Sequence, residues 1–191
     1  MGSLCVFARA DRGAIATQAW INPLLGVDGL ELLEVHSSEE TLRRLLAADP
    51  EPAVRQVAVV DRSGRVAAHT GSLTYPWSGH RTGPGYAVAG NILTGEETMT
   101  AMAEEFENAV DVLLSERLLR ALEAGQTAGG DKRGRQSAAL YVSTGEPYPY
   151  VDLRVDEHPD PVAELRRTYE VAQKELLPFV DTLPRRGNPS G

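Results

Sequence analysis

Between Gly129 and Ser137 the chain gathers Asp131, Lys132, Arg133, Arg135, Gln136 and Ser137 into a short stretch broken by glycines. Three cations, a carboxylate, an amide and a hydroxyl at that density could grip an anion and stabilise developing negative charge. Two guanidiniums side by side form a fork that suits a carboxylate or another planar anion. If the chain is extended from Arg133 onward, the two-residue repeat of a strand puts Arg133, Arg135 and Ser137 on one face. Lys132, Gly134 and Gln136 then share the other. The competing reading is a solvated charged turn in which Asp131 neutralises a neighbour. The glycines and the abrupt passage into the apolar run 138–142 weigh in favour of a site.

Other residues suited to chemistry are fewer. The four histidines, His36, His69, His80 and His158, are scattered and show no ligand spacing, so no metal and no other cofactor is expected. His80 stands out because it closes the glycine-, proline- and aromatic-rich segment Tyr75-Pro76-Trp77-Ser78-Gly79-His80. A loop of that length inside a compact domain is more often functional than not. Thr17 and Asn91 are polar residues inside apolar strands, where they either satisfy a core hydrogen bond or line a pocket. Cys5 has no identifiable base beside it and reads as a small buried hydrophobe. Neither the Walker spacing, nor Gly-x-Gly-x-x-Gly, nor His-Glu-x-x-His occurs.

These residues must be held by a core. Gly13 to Trp20 predicts a strand, and Asn22-Pro23 the start of a helix weakened by Gly26 and Gly29 until Leu30. Ser37 with Glu40 is a capping box ahead of Leu42, Leu45 and Leu46. Val54 to Val60 and Arg65 to His69 flank a short polar turn and predict a hairpin. Thr70 to Gly85 reads as loop, and Tyr86 to Leu93 as strand. The long helical region from Thr94 breaks near Asn108, resumes at Leu113 and ends at Gly125. Two more strands and a last helix, striped by Val162, Leu165, Tyr169, Ala172 and Leu176, complete a single α+β domain over residues 1–182. Residues 183–191 read as a disordered tail.

A chain of 191 residues with 42% hydrophobic and 24% charged residues can bury a substantial core. Its net charge of −8 argues against nucleic acid as a partner. A local basic patch on an acidic protein suits a small anionic substrate or metabolite. No apolar run is long enough for a membrane span or a signal-peptide core, and the lone cysteine fits a reducing, cytoplasmic setting.

The stretches Gly13–Pro23, Gly29–Leu33, Gln56–Asp61, Trp77–Gly83, Gly90–Leu93 and Gly129–Ala139 resemble a bacterial family of unknown function, number 1028 among uncharacterised domains. Its members are placed in the Ntn-hydrolase superfamily. The resemblance implies a four-layer αββα sandwich and hydrolysis of an amide-type bond by an N-terminal Ser, Thr or Cys whose α-amine is the base. Family members carry an additional N-terminal segment that opens with a strand of the type Thr-x-Ser-x-x-Ala-Arg. Here Met1-Gly2 falls inside the domain, and the first strand or strands are expected to be missing. Loss of Met1 would expose Gly2, which has no nucleophile, while Ser3 and Cys5 are internal. Either the chain is inactive as it stands or its start lies upstream; unpaired sheet edges favour the second.

The leading functional expectation is an amidohydrolase-like domain acting on a small anionic amide. Arg133 and Arg135 would hold the substrate carboxylate, and Asp131 would orient one of them or receive an amine. Asn91 and Gln136 would donate to an oxyanion, with Thr17, Ser137 and His80 as further pocket members. The alternative is a non-catalytic domain that binds a metabolite or builds a homo-oligomer, most simply a dimer.

Overall fold

Strand alternation sets the first sheet. In the computed structural model, which describes residues 4–186, β1 (Val6–Arg9), β2 (Gly13–Ala19), β3 (Arg55–Asp61) and β4 (Val66–Thr70) pair antiparallel in that order. Ile15 lies opposite Val59 and Thr17 opposite Val57, so these four share one face. Across that face pack α1 (Leu24–Leu32) and α2 (Ser38–Ala48), through Leu25, Leu30, Leu42 and Leu45. Burying such aliphatic side chains contributes about 1.5–3 kcal/mol each before chain entropy is counted.

The two helices begin where local chemistry starts them. Asn22 Oδ1 accepts the Leu24 N–H at 3.1 Å, and Ser37 Oγ accepts the Glu40 N–H at 3.3 Å. The first helix is intact from Leu24, earlier than its glycines suggest. Those glycines serve close packing: a Cβ would lie 2.1 Å from the Phe7 ring at Gly26 and 2.4 Å from Ile15 at Gly29. Backbone entropy lost at each glycine is offset by the approach of helix to sheet.

The opposite face of the sheet carries a different row. Gln18 is the register partner of Gln56, and Gln56 that of Thr70, so three polar side chains line up across β2, β3 and β4. Over this row lies the hairpin β5 (Gly79–Gly83) and β6 (Tyr86–Gly90). The predicted loop therefore contains a strand, whose short length and polar residues had hidden it. The outer side of the hairpin packs Tyr86 and Val88 on Met99, Ala103 and Phe106 of α3 (Glu97–Asn108) and Ala121 of α4 (Leu114–Thr127).

A second hairpin, β7 (Ala138–Ser143) and β8 (Pro149–Val155), packs against α4, α5 (Pro161–Glu175) and the short α6 (Leu177–Val180). Leu119, Leu165 and Tyr169 are fully buried there, and the Tyr169 hydroxyl finds Ser115 Oγ at 2.7 Å. The described residues thus form three antiparallel sheets and six α-helices in a mixed α+β arrangement.

Three local expectations change. Helix α4 runs through Gly125, which is buried where a Cβ would come within 2.5 Å of Met102 in α3. Termination falls to Gly130, at φ +64°, whose N–H bonds the Gly125 carbonyl at 3.1 Å. The stretch after Arg133 is not yet a strand, because Gly134, at φ +111°, donates to the Asp131 carbonyl at 3.0 Å and closes a turn. Pairing starts only at Ala138, so the expected alternation of Arg133, Arg135 and Ser137 on one strand face does not arise. At the C-terminal end, the Tyr148 hydroxyl donates to the Pro184 carbonyl at 3.0 Å and the Arg186 N–H to Glu146 at 3.1 Å. The remainder of the expected tail, 187–191, lies outside the described residues, as does Ser3. No helix among the described residues is long and apolar enough to cross a membrane.

Candidate functional site

Gln56 is completely buried in the middle of β3. A buried primary amide must satisfy one carbonyl and two N–H donors. Its Oε1 accepts from Gln18 Nε2 at 2.7 Å and from Asn91 Nδ2 at 3.1 Å. Its Nε2 lies 2.8 Å from the Gly79 carbonyl, 2.9 Å from the Gly90 carbonyl and 2.9 Å from Thr70 Oγ1. Turning the amide over would set oxygen against carbonyls and nitrogen against N–H groups, so the neighbours dictate its orientation. Gln18 Nε2 also donates to the Ala89 carbonyl at 3.0 Å, completing the bond between sheet and hairpin.

From this hub a polar path leads outward. Thr70 Oγ1 is 2.9 Å from His80 Nδ1. Partial burial, with a smaller contribution from His69, holds the His80 imidazole below its ordinary pKa, while the residue remains exposed at the surface. Both residues line a cavity of about 560 Å³, together with Trp77, Ser78, Arg81 and Glu96. That volume is in the range of small-molecule sites. A larger hollow of about 800 Å³ lies between α1 and α2, walled by Asp28, Glu31, Arg43 and Arg44. It is more open and brings no hydroxyl–base pair, so the smaller cavity is the candidate site.

The backbone is strained where the hub is aimed. Among the described residues, Ala19 (φ +69°) and Ile92 (φ +56°) are the non-glycine residues with positive φ. They directly follow Gln18 and Asn91, the two side chains that converge on Gln56 Oε1. A β-branched residue there costs about 1–3 kcal/mol and persists only when its surroundings impose it. The Ile92 N–H donates to the Tyr75 carbonyl at 3.1 Å, and the Ile92 carbonyl accepts from the Lys132 N–H at 3.0 Å.

Of the residues expected from sequence, Asn91 and His80 are brought together with this hub. Thr17 is not: it sits on the opposite face of β2 beneath α1, its hydroxyl donating to the Asn22 carbonyl at 3.4 Å. It is core, and alternation puts it there. The proposed guanidinium fork is absent as well. Arg133 turns back on Asp131, with contacts of 2.5 to 3.2 Å, and its side chain is 68% exposed. Burial opposes ionisation of Asp131, but the Arg133 hydrogen bonds outweigh it and hold the carboxyl below its usual range. Arg135 pairs instead with Asp160 at 3.2 Å, and Gln136 donates to Glu157 at 2.9 Å. Ser137 is half-buried just ahead of β7. None of these five lines the cavity.

The loop still bears on the site as a brace. Asp131 forms a β-bridge with Leu93, the Thr94 N–H bonds the Gly130 carbonyl at 3.0 Å, and Lys132 Nζ reaches the Pro76 carbonyl at 2.5 Å. These bonds pin the segment carrying Asn91 and the one leading to His80. The residues that sequence reading missed are Gln18, Gln56 and Thr70. A glutamine inside each of two apolar strands was the available signal, of the same kind that singled out Thr17 and Asn91.

Comparison with known proteins bears on this arrangement. A family of unknown function, DUF1028, matches residues 1–165. The chain belongs to that family. Among solved structures it is similar to the crystal structure of protein SPO2555 from Silicibacter pomeroyi, itself assigned to DUF1028. The two share 30% identity with a TM-score of 0.89, over 98% of this chain and 82% of that one. No curated protein matches. The DUF1028 resemblance seen in the sequence is thereby confirmed, and its separate stretches meet in space. Gln18, Gln56, the segment 77–80, Asn91 and the brace at 130–132 all adjoin one hub.

Proposed function

We propose that this DUF1028 member is an amide hydrolase on an Ntn-like fold, acting on a small anionic amide in the cavity beside Thr70 and His80 with internal residues rather than a chain-terminal one. The observation that carries the reading is His80: a base held below its ordinary pKa, hydrogen-bonded to a hydroxyl, at the wall of a ligand-sized cavity. Arg81 is the anion partner. Its guanidinium contacts the Tyr86 hydroxyl and stands 3.9 Å from Glu107, a loose pairing with which a substrate carboxylate would compete. Trp77 and Met99 supply the apolar wall for an acyl chain. The four-layer αββα sandwich is supported by α1 and α2 on one face of the first sheet, the β5–β6 hairpin against the other, and α3 and α4 beyond it.

A non-catalytic metabolite-binding domain is the second reading, favoured by the full internal satisfaction of the Gln56 hub. Incubation with a panel of N-acyl amino acids and small cyclic amides, with released amine read by mass spectrometry, separates the two. Turnover is expected for carboxylate-bearing members, and Arg81→Ala is expected to raise KM about 10-fold or more, the value of one charge-assisted contact. Ligand-dependent melting without release of amine from any member would instead support the binding-only reading.

A further inference from the structure

We infer that Thr70 is the acyl-accepting nucleophile of this site and His80 its base; the inference rests on the hydrolase reading above. Gln56 Oε1 is occupied by two amide donors, so its Nε2 is the atom facing Thr70. An amide nitrogen donates and cannot accept. The Thr70 hydroxyl proton is therefore turned away from Gln56, and the acceptor within reach is His80 Nδ1 at 2.9 Å. Burial lowers the pKa of that imidazole and so favours the neutral form, whose lone pair can receive the proton. Gln56 has two N–H groups for three acceptors, the Gly79 and Gly90 carbonyls and Thr70 Oγ1, so the threonine oxygen shares an N–H that can turn toward it as negative charge develops. Of the other hydroxyls lining the cavity, Ser78 is 2.8 Å from Thr74 Oγ1, and among the described residues no hydrogen bond joins Ser78 or Thr100 to a histidine.

The reaction balances without a further reactant than water. Thr70 Oγ1 attacks the acyl carbon and a C–O bond forms as its proton passes to His80. The C–N bond then breaks, and His80 returns the proton to the departing amine. Water attacks the resulting threonyl ester, giving a proton to His80. The ester C–O bond breaks, the acid leaves, and the proton returns to Thr70 Oγ1. A water nucleophile would need none of these covalent steps, and that difference is what can be measured.

The intact protein is treated with N-acetylserine β-lactone, which acylates an activated hydroxyl by ring opening, and the adduct is mapped by peptide mass spectrometry. One adduct is expected, on Thr70. Its rate should fall at least 100-fold in Thr70→Val and His80→Gln, while Thr70→Ser still forms it. Melting curves report whether Thr70→Val is folded, and Thr70→Ser keeps the test decisive if it is not. An adduct on Ser78, on the N-terminal residues or nowhere overturns the assignment. Amide turnover by wild type that survives in Thr70→Val would remove Thr70 as nucleophile and leave the hydrolase reading standing. Absence of both turnover and adduct in wild type removes both.

Discussion

Replacing Gln56 with leucine is expected to lower the melting temperature by roughly 10 °C. The substitution strips a donor from two backbone carbonyls and from Thr70 Oγ1, and an acceptor from Gln18 and Asn91. Gln56 is fully buried and the groups it joins are buried or half-buried, so water replaces the lost bonds only in part. Each unsatisfied group costs about 1–3 kcal/mol, partly recovered by relaxation, so a net loss of about 3–5 kcal/mol follows. Differential scanning calorimetry reads the result. A shift below about 2 °C would mean that the row across β2, β3 and β4 is not what joins the sheet to the β5–β6 hairpin.

His80→Gln carries the second large effect. It keeps a hydrogen-bonding group opposite Thr70 but removes the proposed base, and kcat/KM for the best amide substrate is expected to fall about 10²- to 10⁴-fold. Stability should change little, since His80 is exposed. The wild-type pH profile gives the same residue a second readout. In the proposed reaction only the neutral imidazole takes the Thr70 proton, so activity is expected to fall as pH drops through the His80 pKa. Because burial places that pKa below the ordinary imidazole value, the acid limb should lie below about 6.5. An acid limb at or above that value would assign the titration to another group.

Much of the scaffold was legible in the chain because its signals are local. Alternation of Ile15 and Thr17 marks a strand with one buried face, and the apolar run Val57 to Val60 marks a strand buried on both; Ser37 with Glu40 marks a helix start that the structure reproduces. The site was legible only in part. His80 and Asn91 could be singled out by the company they keep in sequence. Their partners could not, because Gln18, Gln56 and Thr70 become a row only through strand register, and register depends on how faces pack. The cation cluster misled for the opposite reason. A carboxylate two residues from Arg133 captures it within a turn, and Asp160 captures Arg135, so dense charge resolved into local pairs on the surface. What remained invisible in that stretch was its bracing role, which lies in backbone bonds from Gly130, Asp131 and Lys132.

The Gln56–Thr70–His80 path is tested most directly by the protonation state of one ring. Two-bond nitrogen–proton correlation spectra of the uniformly labelled protein report which imidazole nitrogen carries hydrogen. The account predicts His80 neutral at pH 7, protonated on Nε2 and bare on Nδ1, with a titration midpoint below about 6.5. A hydrogen on Nδ1, or an imidazolium at that pH, would show that Thr70 does not give its proton to His80 and would contradict the account.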